Sequence, residues 1–174
     1  MPVIRFGKQS DDATSARLVS RLAEVLATDP AAEPNGEPLV VELPMFKSNR
    51  LQAVVVWSEW DRVPWAERGQ LIVNAYSQAA PDRVSLLTLV TGLSWDEADS
   101  NAFFKYKVVP AYRAGEANDA AVRNAMIEEG AYVAPSGVRL RFFDRAAAEI
   151  AHQRLTVKVP NAHWALASIE RLES

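Results

Sequence analysis

The sequence predicts an α+β fold: a mixed, mainly antiparallel sheet with helices packed on one face, opening in β-α-β-β-α order. Three observations lead there. Several short segments alternate apolar and polar residues with the two-residue period of a strand. Longer segments repeat apolar residues at helical spacing, several of them after a Ser, Asp or Asn that can cap. The connections are short and carry Pro, Gly and Asn. The chain has 174 residues, 49% hydrophobic and 24% charged, which suffices for a packed core. The expectation is a single α+β domain over 1–174 with two lobes, about 1–92 and 93–174.

The elements follow in order. Pro2 to Phe6 alternates Ile4 and Phe6 against Val3 and Arg5 and reads as a strand ended by Gly7. Ser10 or Asp11 then caps a helix whose Leu18, Val19, Leu22, Val25 and Leu26 share one face. Thr28 to Pro38 holds three prolines and Asn35-Gly36, and reads as a loop. Leu39 to Leu43 is the next strand. Ala53 to Ser58 is apolar at almost every position, so it belongs at the centre of a sheet with both faces covered. Pro64 suits the first turn of a helix that runs to about Ala79. Gly69 inside that helix suggests close packing, since it costs about 1 kcal/mol against Ala.

Asp82 to Gly92 reads either way. Leu86, Leu87, Leu89 and Val90 fit a helix closed by Gly92, whereas Val84, Thr88 and Val90 suit a strand. The helix is preferred here, because Ser94 and Glu97 then open a further short helix with a capping-box pattern. In the second half, Phe103 to Val109, Val138 to Phe143 and Leu155 to Val159 read as strands. Asn118, Asp144 and Asn161 each cap a helix, the last burying Leu166, Ile169 and Leu172.

Those later strands share a pattern. Lys105 and Lys107 alternate with Phe104, Tyr106 and Val108. Arg139 and Arg141 alternate with Val138, Leu140 and Phe142. Lys158 stands between Val157 and Val159, and Arg5 sits similarly in the first strand. Alternate side chains point to opposite faces. If the strands are neighbours, Arg5, Lys105, Lys107, Arg139, Arg141 and Lys158 gather on one basic face. Like charges on adjacent strands repel, so such a face calls for an anionic partner or for interleaved acids.

Three tryptophans, Trp57, Trp60 and Trp65, fall within nine residues. Trp57 belongs to the core, and Trp60 and Trp65 are candidate interface residues. The chain has no cysteine, which removes disulfides and thiolate chemistry and fits a cytoplasmic protein. Its formal net charge of -3 does not favour nucleic acid or an anionic membrane as a whole-molecule partner. No membrane partner is expected. Gly7-Lys8 lacks the upstream glycine of a phosphate-binding loop, and His152 and His163 stand outside any spaced metal or catalytic motif. Asp96, Glu97 and Asp99 read as acids at a helix start. No cofactor or metal is expected.

The functional expectation is a small protein-interaction or anion-binding module whose basic sheet face meets an acidic protein surface or another polyanion, with self-association left open. The alternatives are an enzyme acting on a phosphorylated or carboxylated metabolite, and a structural subunit of a larger assembly.

Overall fold

The computed structural model describes residues 11–28 and 37–169. The chain divides into two compact units, Met1–Trp95 and Asp96–Ser174. It is an α+β protein, with a three-stranded and a four-stranded sheet among the described residues. The strand expected at Pro2 to Phe6, and Arg5 with it, lies outside them.

In the first unit, α1 (Asp12–Ala27) starts where Asp11 accepts the Thr14 N–H at 2.7 Å. This satisfies one of the free donors of the first turn. Its buried face holds Leu18, Val19 and Leu22. Strands β1 (Leu39–Pro44) and β2 (Leu51–Val56) form an antiparallel hairpin, with Val40 opposite Val55 and Glu42 opposite Ala53. A 3-10 turn at Ser58–Arg62 leads to α2 (Trp65–Ala79) and the short α3 (Pro81–Val84). Strand β3 (Leu87–Leu93) then pairs parallel to β2, so β2 is central. The continuous apolar run of β2 follows from that place. Ala53 and Val55 join the core with Leu18, Leu22, Ile72, Ala75 and Tyr76, and Val54 and Val56 are buried on the opposite face.

The segment 82–92 is thus a short helical turn followed by a strand, not a helix ended by Gly92. Its β-branched residues find a parallel partner in β2, and that pairing outweighs the helical spacing of its leucines. Gly92 serves close approach. A Cβ there would stand 2.9 Å from Arg68 Cβ and 3.2 Å from Trp60 Cε2. Arg68, buried on α2, uses its guanidinium to donate to the carbonyls of Trp60 (2.8 Å), Val63 (3.0 Å) and Gly92 (3.1 Å). One side chain therefore ties helix, turn and strand together. Glu42 points to the same helical side. It accepts from the Tyr76 hydroxyl at 2.8 Å and pairs with Arg83 at 2.6 Å. Burial raises the Tyr76 phenol well above its ordinary value of 10, and the Glu42 carboxylate adds to this.

In the second unit, α4 (Trp95–Ser100), beginning at the last residue of the first, precedes β4 (Tyr106–Val109). Then come α5 (Asp119–Glu128), β5 (Tyr132–Ala134), β6 (Gly137–Phe142), α6 (Arg145–Lys158) and β7 (Ala165–Ser168). Asn118 and Asp144 cap α5 and α6 as their sequences predict. The sheet order is β5-β6-β4-β7 and every pairing is antiparallel. Val108, Leu140 and Phe142 face α5 and α6, where Val122, Met126, Ala148, Ala151 and Leu155 complete the core.

Two expectations are corrected here. Leu155 to Lys158 closes α6 instead of forming a strand. Ala148, Ala151 and Leu155 are all buried, at i, i+3 and i+7, and the Thr156 hydroxyl donates to the His152 carbonyl at 2.8 Å. Nor does Asn161 cap a helix. Pro160–Ala162 is a 3-10 turn, and His163 at φ 49 redirects the chain so that Ala165–Ser168 pairs with β4. Leu172 lies outside the described residues.

Gly69 and Gly92 make opposite predictions. A Cβ at Gly69 meets only Val90 Cγ2, at an ordinary 3.5 Å. Gly69→Ala is therefore expected to stabilise by about 0.5–1 kcal/mol through helix propensity. Gly92→Ala is expected to destabilise by about 1–3 kcal/mol through overpacking against Arg68 and Trp60. Urea unfolding of both variants measures the contrast.

Candidate cationic sheet face

Register builds the site. Lys107 stands directly opposite Arg141, and Tyr132 opposite Arg139. Directly paired residues project from the same face. With Val108, Leu140 and Phe142 turned to the helices, Lys105, Lys107, Arg139 and Arg141 share the other face of the second unit's sheet. The ladder reaches Lys105, whose N–H donates to the Phe142 carbonyl at 3.0 Å and whose carbonyl accepts from Ile169 at 2.8 Å.

The two arginines are answered from α4. Asp99 accepts from Arg141 Nε at 2.9 Å and, through its other oxygen, from Arg139. Arg139 also donates to the Ser136 hydroxyl at 2.7 Å. The side chains keep 34% (Arg139) and 15% (Arg141) of their exposure. Burial alone would raise the Asp99 carboxyl. The hydrogen bond and charge of Arg141, with help from Arg139 and Tyr132, outweigh it and hold the group below its ordinary 3.8. Burial raises the neighbouring Tyr132 phenol, and the Asp99 charge adds to that.

The lysines differ. Lys105 is exposed, with Nζ over the Phe143 ring at 4.6 Å, and Phe143 stacks on Phe103 at 5.0 Å. Lys107 is half-buried and has no ion pair among the described residues. Four cations on this face thus meet one paired carboxylate, Asp99, among those residues.

The other predicted residues are elsewhere. Lys158 ends α6, on the helical side of the sheet, and pairs with Glu129 at 2.8 Å and Glu128 at 3.2 Å. Its cation answers the buried Glu129 carboxylate, so it does not join the basic face. Trp60 is fully buried. Its Nε1 donates to the Val55 carbonyl at 3.0 Å and its ring meets Trp57 edge-on, so it is core and not surface. Trp65, at 69% exposure, stays at the surface as the first residue of α2. His152 shares a 3.0 Å hydrogen bond with the Trp164 carbonyl, and His163 is exposed. No group of three or more His, Asp or Glu among the described residues is placed to hold a metal. No described helix is long and apolar enough to cross a membrane.

Sequence reasoning missed Asp99 and Phe143. Phe143 was within reach, since it continues the 139, 141 rhythm by one step. Asp99 was not, because its role depends on where α4 lies.

Loss of the Asp99 charge has a signed consequence. A carboxyl whose folded pKa is depressed contributes stability above its unfolded value, and that contribution disappears as pH falls through the folded value. Asp99→Asn is expected to cost about 2 kcal/mol near neutral pH, the residual exposure of the ion pairs keeping the loss below that of a fully buried pair. The gap from the parent should close as pH falls progressively below the ordinary 3.8, as read from urea unfolding over an acid series. No protein-family model matches the chain, and neither the curated proteins nor the solved structures compared with it give a match.

Proposed function

We propose that this chain is a binding module whose four-stranded sheet presents a basic face to an acidic protein segment. The observation carrying this reading is the charge imbalance on that face: Lys105, Lys107, Arg139 and Arg141 set against Asp99. Asp99 relieves the arginines and fixes their forks. The lysines, one exposed and one half-buried without an ion pair among the described residues, are the groups left to meet a partner's carboxylates. Lys105 and Lys107 lie two residues apart on one face, about 7 Å along the strand. Alternate side chains of an extended acidic peptide have the same spacing, so one such peptide can engage both.

Binding of this kind depends on charge more than on buried apolar area. It should associate fast and weaken with salt. Lys105→Ser/Lys107→Ser removes the two cations of this face that have no ion pair among the described residues and leaves the Asp99 ion pairs intact. It is expected to fold normally and to weaken binding of fluorescent polyglutamate by about tenfold or more at low ionic strength, with a shallower salt dependence. Fluorescence anisotropy across a salt series makes the measurement. Equal binding by the folded variant and its parent would overturn the reading.

A further inference from the structure

A second surface, in the first unit, is independent of the basic sheet face. The β1–β2 hairpin ends in Met45-Phe46-Lys47-Ser48-Asn49-Arg50, every residue of it exposed. Phe46 is 87% exposed and Met45 41%. Large apolar side chains so far out of the core gain nothing from folding. The tip has a defined shape nonetheless. Met45 N–H donates to the Arg50 carbonyl at 2.9 Å, and the Met45 carbonyl accepts from Ser48 N–H at 3.2 Å. Lys47 holds φ 59, a left-handed position where turns ordinarily place Gly or Asn. This leaves its Nζ 5.2 Å from the centre of the Phe46 ring.

Charge says what the tip meets. No acidic residue occurs from Leu43 to Ser58, while Lys47 and Arg50 follow the apolar pair, Arg50 being exposed and donating to the Ser85 carbonyl at 3.4 Å. Within a chain of net charge -3, this acid-free stretch is suited to approach an anionic surface. Two exposed apolar side chains with adjoining cations match the layered chemistry of a bilayer interface, with phosphates outside and acyl chains beneath. Lysine and arginine stems are long enough to keep their charges at the phosphates while an adjoining aromatic enters. The turn's internal hydrogen bonds reduce the cost of moving its backbone out of water.

We propose that the β1–β2 hairpin tip docks this protein on anionic lipid bilayers, Phe46 and Met45 entering the headgroup region and Lys47 and Arg50 meeting lipid phosphates. This is a surface contact with no spanning segment, and it departs from the composition-based expectation of no membrane partner.

The absence of cysteine makes the test clean, because Asn49→Cys, in the same turn and sparing Met45 and Phe46, gives a unique site for a polarity-sensitive fluorophore. The labelled full chain is mixed with phosphatidylcholine vesicles, with phosphatidylcholine vesicles containing phosphatidylserine, and with polyglutamate. The expected result is a blue shift with the phosphatidylserine vesicles alone, reversed by salt. In co-sedimentation of unlabelled protein, Phe46→Ser should weaken partitioning by about tenfold or more. Lys47→Ser/Arg50→Ser should weaken it by a further comparable factor. These positions are exposed, and unchanged circular dichroism confirms folding. No shift with either vesicle, equal response to both, or sedimentation of Phe46→Ser at the parent level would overturn the proposal. A shift with polyglutamate alone would assign the tip to an acidic protein surface and overturn it equally.

Discussion

Placing Lys107 directly across from Arg141 sets two positive charges on neighbouring strands, and the non-helical face of the second unit's sheet is arranged around their repulsion. The helical face fixes that register. Val108, Leu140 and Phe142 must point at α5 and α6, and a slip of one residue would turn them outward and bring the cations into the core. The repulsion therefore cannot be relieved by sliding the strands. It is relieved by Asp99, brought over β6 by α4, with one carboxylate oxygen for each arginine. Hydrophobic register and ionic arrangement are thus two consequences of one alternation. The apolar half sets the geometry and the polar half accommodates it.

In the first unit a buried cation serves the backbone. Arg68 donates to three backbone carbonyls, and it is buried where Asp99's partners keep some contact with water. Its three carbonyl acceptors come from a 3-10 turn, its exit and β3, and the Trp60 carbonyl among them also accepts from Val63 N–H at 3.1 Å. A planar fork reaches all three at once, which an ammonium on a single point cannot do. The fork needs space, and Gly92 supplies it by having no side chain at the closest approach. A strand glycine beside a buried arginine is therefore one packing device, although the two residues stand far apart in the chain.

How much of this was legible follows from which signals are local. The caps at Asp11, Asn118 and Asp144, the central position of β2 and the common face of Lys105, Lys107, Arg139 and Arg141 all depend on adjacent residues, and sequence spacing finds them. Leu155 to Val159 misled because five residues are too few to separate periods of 2 and 3.6. The deciding partners, Ala148 and Ala151, lie upstream. Segment 82–92 misled because its leucines fit a helix, while the parallel partner that makes it a strand is some thirty-five residues earlier. Nothing in its neighbours singles out Arg68, and Asp99 reads as an acid at a helix start. Their roles come from tertiary placement, which a single sequence does not display.

Arginine and lysine are used differently at the sites described above. Arg68, Arg83, Arg139 and Arg141 are committed to carbonyls or carboxylates of the protein itself. Of the four lysines among the described residues, Lys47 and Lys105 rest over aromatic rings and Lys107 has no ion pair among those residues. Lys158 is the exception, a point charge between the adjacent carboxylates of Glu128 and Glu129. The chemistry accounts for the sorting. A guanidinium is weakly hydrated and directional, so it performs best when its partners are fixed by the fold. An ammonium is strongly hydrated, carried on a flexible stem, and loses little by waiting in water for a partner that arrives from outside. On the basic sheet face, accordingly, the two arginines are held by Asp99, while Lys105 and Lys107 have no ion pair among the described residues.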